Sequence, residues 1–215
     1  MTHDAAPVAR ISVAAIVANV RGAAASAPLV DLRHDAYGHG VDAVATALLS
    51  ETDATLLVDD ATTFGDRVVR AGEPAVSPAV TYGWVDGVPA MTLVGTVLST
   101  KRLLTGEGVS YGYRFRAPAD TRVALVTGGY AQGVVRSAGG AASVSLGHAR
   151  RPIVGRVAMD VCVIDIGDAD IARGDEAVFF GRGGDTVAHW AAVTALRPSE
   201  IVTAVGLHTR REAVS

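Results

Sequence analysis

Apolar and polar positions change rhythm once along this chain, near Gly83. Before it, short apolar runs alternate with stretches whose apolar residues fall at helical spacing. Residues 9–13 read as a strand and are followed by a helix to about Ala25, with Pro28 ending the connection. Residues 30–33 are the next strand. The segment 40–49 then sets Val41, Val44, Ala45, Leu48 and Leu49 at helical spacing. Residues 54–58 form a third strand, 59–71 a helix closed by Gly72, and 75–82 a fourth strand. Strands alternating with helices predict parallel pairing. Residues 1–7 read as a loose terminus.

Beyond Gly83 the pattern becomes strands punctuated by glycines: 91–98, 109–116, 123–127, 133–136, 142–146, 153–158, 162–166 and 176–180. This predicts a compact antiparallel β domain or barrel. Two terminal helices are expected over 186–195 and 199–205, with Asp185 and Pro198–Ser199 as start signals. The domain boundary falls between 1–84 and 85–215, although the strand near 9–13 is a candidate to join the β domain.

Composition narrows the function classes. The chain has 215 residues, 49% of them hydrophobic, and a formal charge of −3. This balance argues against a nucleic-acid or anionic-membrane surface. No run approaches the roughly 18 apolar residues of a membrane span, and the start lacks a signal-peptide core, so a cytoplasmic location is expected. Cys162 is the only cysteine, which excludes an internal disulfide and a cysteine-rich zinc site. Of the nineteen basic residues, Lys101 is the only lysine. Covalent chemistry through an amine must use it or the α-amino group.

Candidate chemistry concentrates in VDLRHDAYGHG at 30–40, a strand, a glycine-bracketed turn and a helix start. Catalytic groups of α/β proteins sit at such strand ends. The stretch resembles the cofactor-lysine segment of the alanine racemases, V-V-K-A-[ND]-A-Y-G-H-G, whose lysine forms a Schiff base with pyridoxal 5′-phosphate (PLP). Asp35, Ala36, Tyr37, Gly38, His39 and Gly40 match it, but Arg33 stands at the lysine position. A guanidinium stays protonated and forms no internal aldimine. The resemblance continues through PAMTL at 89–93, GEGVSYGYRFRAPADTRVA at 106–124, VGRVAMDVCVIDIGD at 154–168 and GDEAVFFG at 174–181.

What the resemblance implies is a racemase-like C-terminal β domain behind a shortened barrel. A full (β/α)8 barrel takes about 250 residues, and only about 80 precede the β domain here. The expected fold is an α/β remnant of a (β/α)8 barrel, about three parallel strands with helices, plus the antiparallel β domain. The retained strands would be the family's eighth, first and second, in that order. A helix over 60–71 would cover the face that once lay inside the barrel.

The same resemblance places the site residues. Tyr111, in GVSYG, holds the family's second acid/base position, contributed across the dimer interface. Tyr37 matches a cofactor-pocket tyrosine. Met159 matches a residue lining the substrate-carboxylate site, and Val161 replaces the family's glutamine. Leu207 stands where the family carries a phosphate-binding tyrosine, and the arginine that bonds the pyridine nitrogen falls near Val76. His39 is expected to make structural hydrogen bonds. His34, Asp35 and His39 share a turn, but their spacing is not diagnostic of a metal.

Lysine, pyridine partner and phosphate anchor are thus lost together. The expectation is a degenerate member without racemase activity, binding no cofactor, and acting as a homodimeric binding or interaction module. Two alternatives stay open. One is a PLP-dependent alanine racemase with residual activity. The other is a subunit lending Tyr111 to a full-length racemase in a mixed dimer. In the homodimer, Arg33 would face the partner's Tyr111, free to take a small carboxylate through its fork.

Overall fold

The structure is a computed structural model, and it describes residues 6–23, 26–60 and 64–215. Its organising strand is β5 (Met91–Leu103), whose thirteen residues are long enough to serve several partners in succession. Near its start it pairs antiparallel with β1 (Val8–Ile11), Met91 lying opposite Ile11. It also pairs with β12 (Glu176–Phe180) and, further along, with β8 (Thr121–Thr127). The remaining strands are β9 (Ser143–Leu146), β10 (Ala149–Val154), β11 (Val161–Asp165) and β13 (Arg210–Ala213). They complete the order β12-β9-β10-β11-β8-β5-β1-β13, and the second pairing of β12 with β5 closes six of them into a barrel. Closure removes the free edges that an open sheet would expose.

Alternation explains which residues enter the barrel. β1 and β9 bury every second residue, as the two-residue period of a strand requires. Phe179 and Phe180 of β12 meet Trp190 edge-on at 5.9 and 5.7 Å. Trp190 lies on α5 (Val187–Thr194), which Thr186 caps by accepting the His189 N–H. α6 (Pro198–His208) follows and leads directly into β13.

The first part of the chain is a small parallel sheet. β2 (Leu29–Asp31), β3 (Thr55–Leu57) and β4 (Val68–Val69) lie side by side. Val30 also bridges Val76, so the segment after β4 returns to the other edge of β2. α1 (Val13–Ala23) and α3 (Val41–Glu51) pack together beside it. Asn19 of α1 ties this part to the linker: its amide donates to the carbonyls of Thr81 (3.2 Å) and Val88 (2.9 Å), and its oxygen accepts from Val88 N–H.

Several expectations need correction. Residues 68–69 are strand, where a helix over 59–71 was expected; residues 61–63 of that segment lie outside the described residues. The reason is backbone accounting. The N–H groups of Leu56 and Val58 on the β3 edge find the carbonyls of Arg67 and Val69. Among the described residues of 60–71, no helix covers the sheet face expected to be hidden by one. The helix expected to reach Ala25 is described to Ala23.

Residues 75–82 are not a strand beyond the single bridge at Val76. Ser77 accepts the Val80 N–H and Pro78 takes the first helical position, giving the short α4 (Pro78–Thr81). Residues 133–136 are not a strand either; short 3-10 turns occupy Tyr130–Gln132 and Arg136–Ala138. The expected strand over 109–116 is a hairpin of β6 (Gly108–Val109) and β7 (Phe115–Arg116) with a loop between them.

The two parts meet most closely at α6. α6 lies across the segment after β2 so closely that a Cβ on Gly206 would sit 2.0 Å from the Gly38 carbonyl oxygen. Gly206→Ala should cost on the order of 3 kcal/mol, since neither backbone can yield without moving a whole element. Urea unfolding of the variant beside the wild-type chain measures this.

Candidate functional site

The segment after β2 is a left-handed helical turn. In α2 (Arg33–Gly38), His34, Asp35, Ala36 and Tyr37 all have φ between 52° and 57° and ψ between 41° and 47°. Left-handed backbone costs roughly 1–2 kcal/mol per non-glycine residue, so four in succession need external support. Asp35 supplies much of it. Its Oδ1 accepts the Val41 N–H at 2.8 Å, starting α3, and its other oxygen pairs with Arg211 of β13. The Asp35 carbonyl accepts from Gly40 N–H, and the Asp59 carboxylate accepts the His34 N–H at 2.6 Å. Gly38 and Gly206 then let α6 press down on the turn.

Asp31 is the hub of the site, and the sequence reading passed over it inside an apolar run. Its carboxylate is 2% exposed. It holds Arg33 bidentately, through Nε at 2.9 Å and Nη2 at 2.6 Å, and also accepts the Arg33 backbone N–H. Tyr37 donates its hydroxyl to Asp31 Oδ2 at 3.0 Å, while the Tyr82 hydroxyl donates to the Asp31 backbone carbonyl at 2.8 Å. Burial alone would raise the Asp31 carboxyl; Arg33 and Tyr37 outweigh it and carry the carboxyl below its ordinary range. Burial, then the Asp31 charge, pushes the Tyr37 phenol up to about 12. The Arg33 guanidinium is held still more firmly charged by Asp31.

Aromatic rings fill the space beside this pair. Tyr37 meets Tyr82 and Trp84 edge-on at 5.5 and 5.3 Å, and Tyr82 stacks on Trp84. His39 stacks on Tyr82 at 4.5 Å, and its Nδ1 lies 2.8 Å from the Ala36 carbonyl. That is the structural role expected of it. Burial drives the His39 imidazole down to about 4, so it is neutral at physiological pH.

The other sequence-derived positions lie apart. No hydrogen bond, ion pair or ring contact among the described residues joins Tyr111, Met159 or Leu207 to the Asp31 cluster. All three are exposed, at 82%, 54% and 56%. Tyr111 stands on the loop between β6 and β7. Lys101 lies on β5 opposite Val123, within the barrel sheet. Among the described residues, no three His, Cys, Asp or Glu side chains are grouped to hold a metal. No helix among them is long and apolar enough to cross a membrane. Arg150 pairs with Asp185, and Arg151 donates to the carbonyls of Leu146 and Ile166.

These residues do not fit PLP. The lysine position carries a guanidinium whose fork is already filled by a buried carboxylate. Leu207 offers no donor to a phosphate, and Val76 offers none to a pyridine nitrogen. The notion that Arg33 takes a small acid also needs correction, because Asp31 occupies the bidentate face such an acid would use. The arrangement can hold charge and shape in one place, and the high Tyr37 pKa makes that phenol a poor base near neutrality.

Acid should loosen the fold in two steps. An unfolded histidine titrates near about 6.5 and an aspartate near about 3.9. Between about 6.5 and 4 the unfolded chain binds a proton that buried His39 refuses, so stability falls as pH falls. The loss is on the order of 3 kcal/mol. Below about 3.9 the Asp31 contribution is lost as well, because its folded carboxyl titrates lower than its unfolded one. His39→Gln should flatten the first step and leave the second, as read by urea midpoints across that pH range.

Comparison with known proteins places the chain in a family. The family described as alanine racemase, C-terminal domain, matches residues 90–213. An alanine racemase of Mycobacterium ulcerans is 43% identical over 164 residues, covering 73% of this chain and 42% of that protein. One from Frankia casuarinae is 36% identical over 184 residues, covering 84% of this chain and 46% of its own length. The chain thus spans less than half the length of these curated relatives. Solved structures share the fold. Alanine racemase from Streptomyces coelicolor superposes with a TM-score of 0.77 at 20% identity, over 98% of each chain. The Bartonella henselae enzyme, with covalently bound pyridoxal phosphate, gives 0.83 at 16% identity, over 98% of this chain and all of that one. With its matching C-terminal domain and its close sequence relatives, this chain belongs to the alanine racemase family.

Proposed function

We propose that the chain is a non-catalytic member of its family, a homodimeric interaction module whose cofactor-lysine turn has become an ion-paired structural element. The observation that carries this reading is the bidentate grip of buried Asp31 on Arg33. Imine chemistry needs a neutral amine within reach of an aldehyde. The turn supplies a permanently charged guanidinium that is already bound. The parallel sheet around β2 and β3 is read as what remains of a (β/α)8 barrel within residues 1–84, with the β domain over 85–215.

Dimerisation is supported by exposed apolar side chains. Tyr111, Tyr113 and Met159 are more than half exposed. A two-fold contact would let these side chains be covered by a second copy. The same exposure of Tyr111 favours a second reading, in which it is lent to the lysine of a full-length racemase in a mixed dimer.

Purified chain titrated with PLP and reduced with borohydride should yield no adduct on residue 33 and no alanine racemisation. A reduced adduct on a specific residue, together with turnover, would overturn the non-catalytic reading. Sedimentation at micromolar concentration should give a dimer, weakened by Tyr111→Arg with Met159→Arg. A wild-type monomer rejects the homodimer. If that monomer restores activity to a full-length racemase lacking its own acid/base tyrosine, the mixed-dimer reading replaces it.

A further inference from the structure

A second concavity lies on the barrel, sharing no residue with the Asp31 cluster. It has a volume of about 550 Å³, and Arg114, Arg136 and Arg156 line it together with Phe115 and Ser137. That size falls within the usual range of small-ligand sites. We propose that this cavity binds a small multivalent oxyanion, a phosphate ester or a polycarboxylate.

The first argument is how this chain disposes of its cations. Seven of its eighteen arginines lie against a carboxylate among the described residues. Others, such as Arg67 and Arg151, spend their donors on backbone carbonyls. Arg114, Arg136 and Arg156 do neither among the described residues, yet the fold gathers all three around one hollow. Uncompensated like charges within a Debye length repel, and an anion placed among them relieves that repulsion. The chain as a whole carries a formal charge of −3, so the cluster is not the by-product of a basic surface.

The second argument is that two of the guanidiniums are positioned with donors to spare. Arg136 lies over the Tyr130 ring, 4.3 Å from its centre. Such a contact uses the flat face of the guanidinium and leaves its in-plane N–H groups for an acceptor. Arg156 packs under the β6–β7 loop, where a Cβ on Gly112 would lie 3.4 Å from its Nη1. Its backbone carbonyl accepts the Ser110 hydroxyl, which fixes the loop above it. The walls carrying Arg136 and Arg156 meet because Gly139 has no side chain: a Cβ there would be 2.3 Å from the Gly155 carbonyl oxygen. Arg114, exposed and next to β7, lines the same hollow. Planar forks from separate walls suit an anion with several oxygens better than a single halide.

Calorimetry on the full chain tests this, with pyrophosphate and citrate as probes at ionic strength matched by chloride. Saturable binding of either probe is expected. It should weaken by about tenfold or more in Arg114→Gln and in Arg136→Gln and be unchanged in Arg173→Gln, which removes an exposed arginine outside the cavity. Arg114 is exposed, so its variant keeps the fold and carries the test if Arg136→Gln loses stability. Preference for pyrophosphate assigns a phosphate ligand, and preference for citrate assigns a carboxylate. No saturable binding of either probe at millimolar concentration overturns the proposal. Binding that is indifferent to Arg114 and Arg136, or equally sensitive to Arg173, also overturns it. The readout needs no PLP and is independent of whether residue 33 forms an adduct.

Discussion

The approach of α6 to the left-handed turn is the contact on which the rest of the arrangement depends. Two glycine backbones, Gly38 and Gly206, touch there without side chains between them. Because α6 runs straight into β13, and β13 pairs with β1 beside β5, the same helix that clamps the turn is anchored in the barrel sheet. The Arg211–Asp35 ion pair adds a second tie between β13 and the turn. The strained backbone therefore persists because a closed barrel holds its lid in place.

Support from the barrel explains how the turn around Asp31 holds its shape. Four left-handed residues, a neutral buried histidine and a stack of aromatic rings all remain in place around Asp31. Their energetic support comes from packing and from Asp31, Asp35 and Arg211, none of which requires a bound cofactor.

The sequence disclosed the barrel well and the turn poorly, for physical reasons. Strands β1, β8, β9, β11 and β12 alternate apolar and polar residues, or fill a buried core, and that pattern is local. β13 reads RREA and has no apolar alternation; it is a strand because the edge of β1 offers it hydrogen bonds. Val68 and Val69 are strand for the same nonlocal reason. Left-handed backbone at His34 to Tyr37 has no local signature, since no propensity favours it in four successive residues. Asp31 was hidden because a single acid within VDL does not alter an apolar reading, and its partner two residues on is revealed only when the turn brings Arg33 back over it. Gly206, in mid-helix, discloses its purpose only through what crosses it.

The Asp31–Arg33 pair also bears on how such a chain can change further. Suppose residue 33 alone returned to lysine. Its amine would enter beside a buried carboxylate, whose charge favours the protonated form, and a protonated amine does not attack an aldehyde. Suppose instead that Asp31 alone became apolar. The guanidinium would lose its buried partner and gain no chemistry. Neither single change yields a neutral amine at residue 33, so an imine-forming turn requires both changes. The ion pair acts as an epistatic ratchet: a contact that stabilises the turn and, by the same electrostatics, disfavours a neutral amine at residue 33.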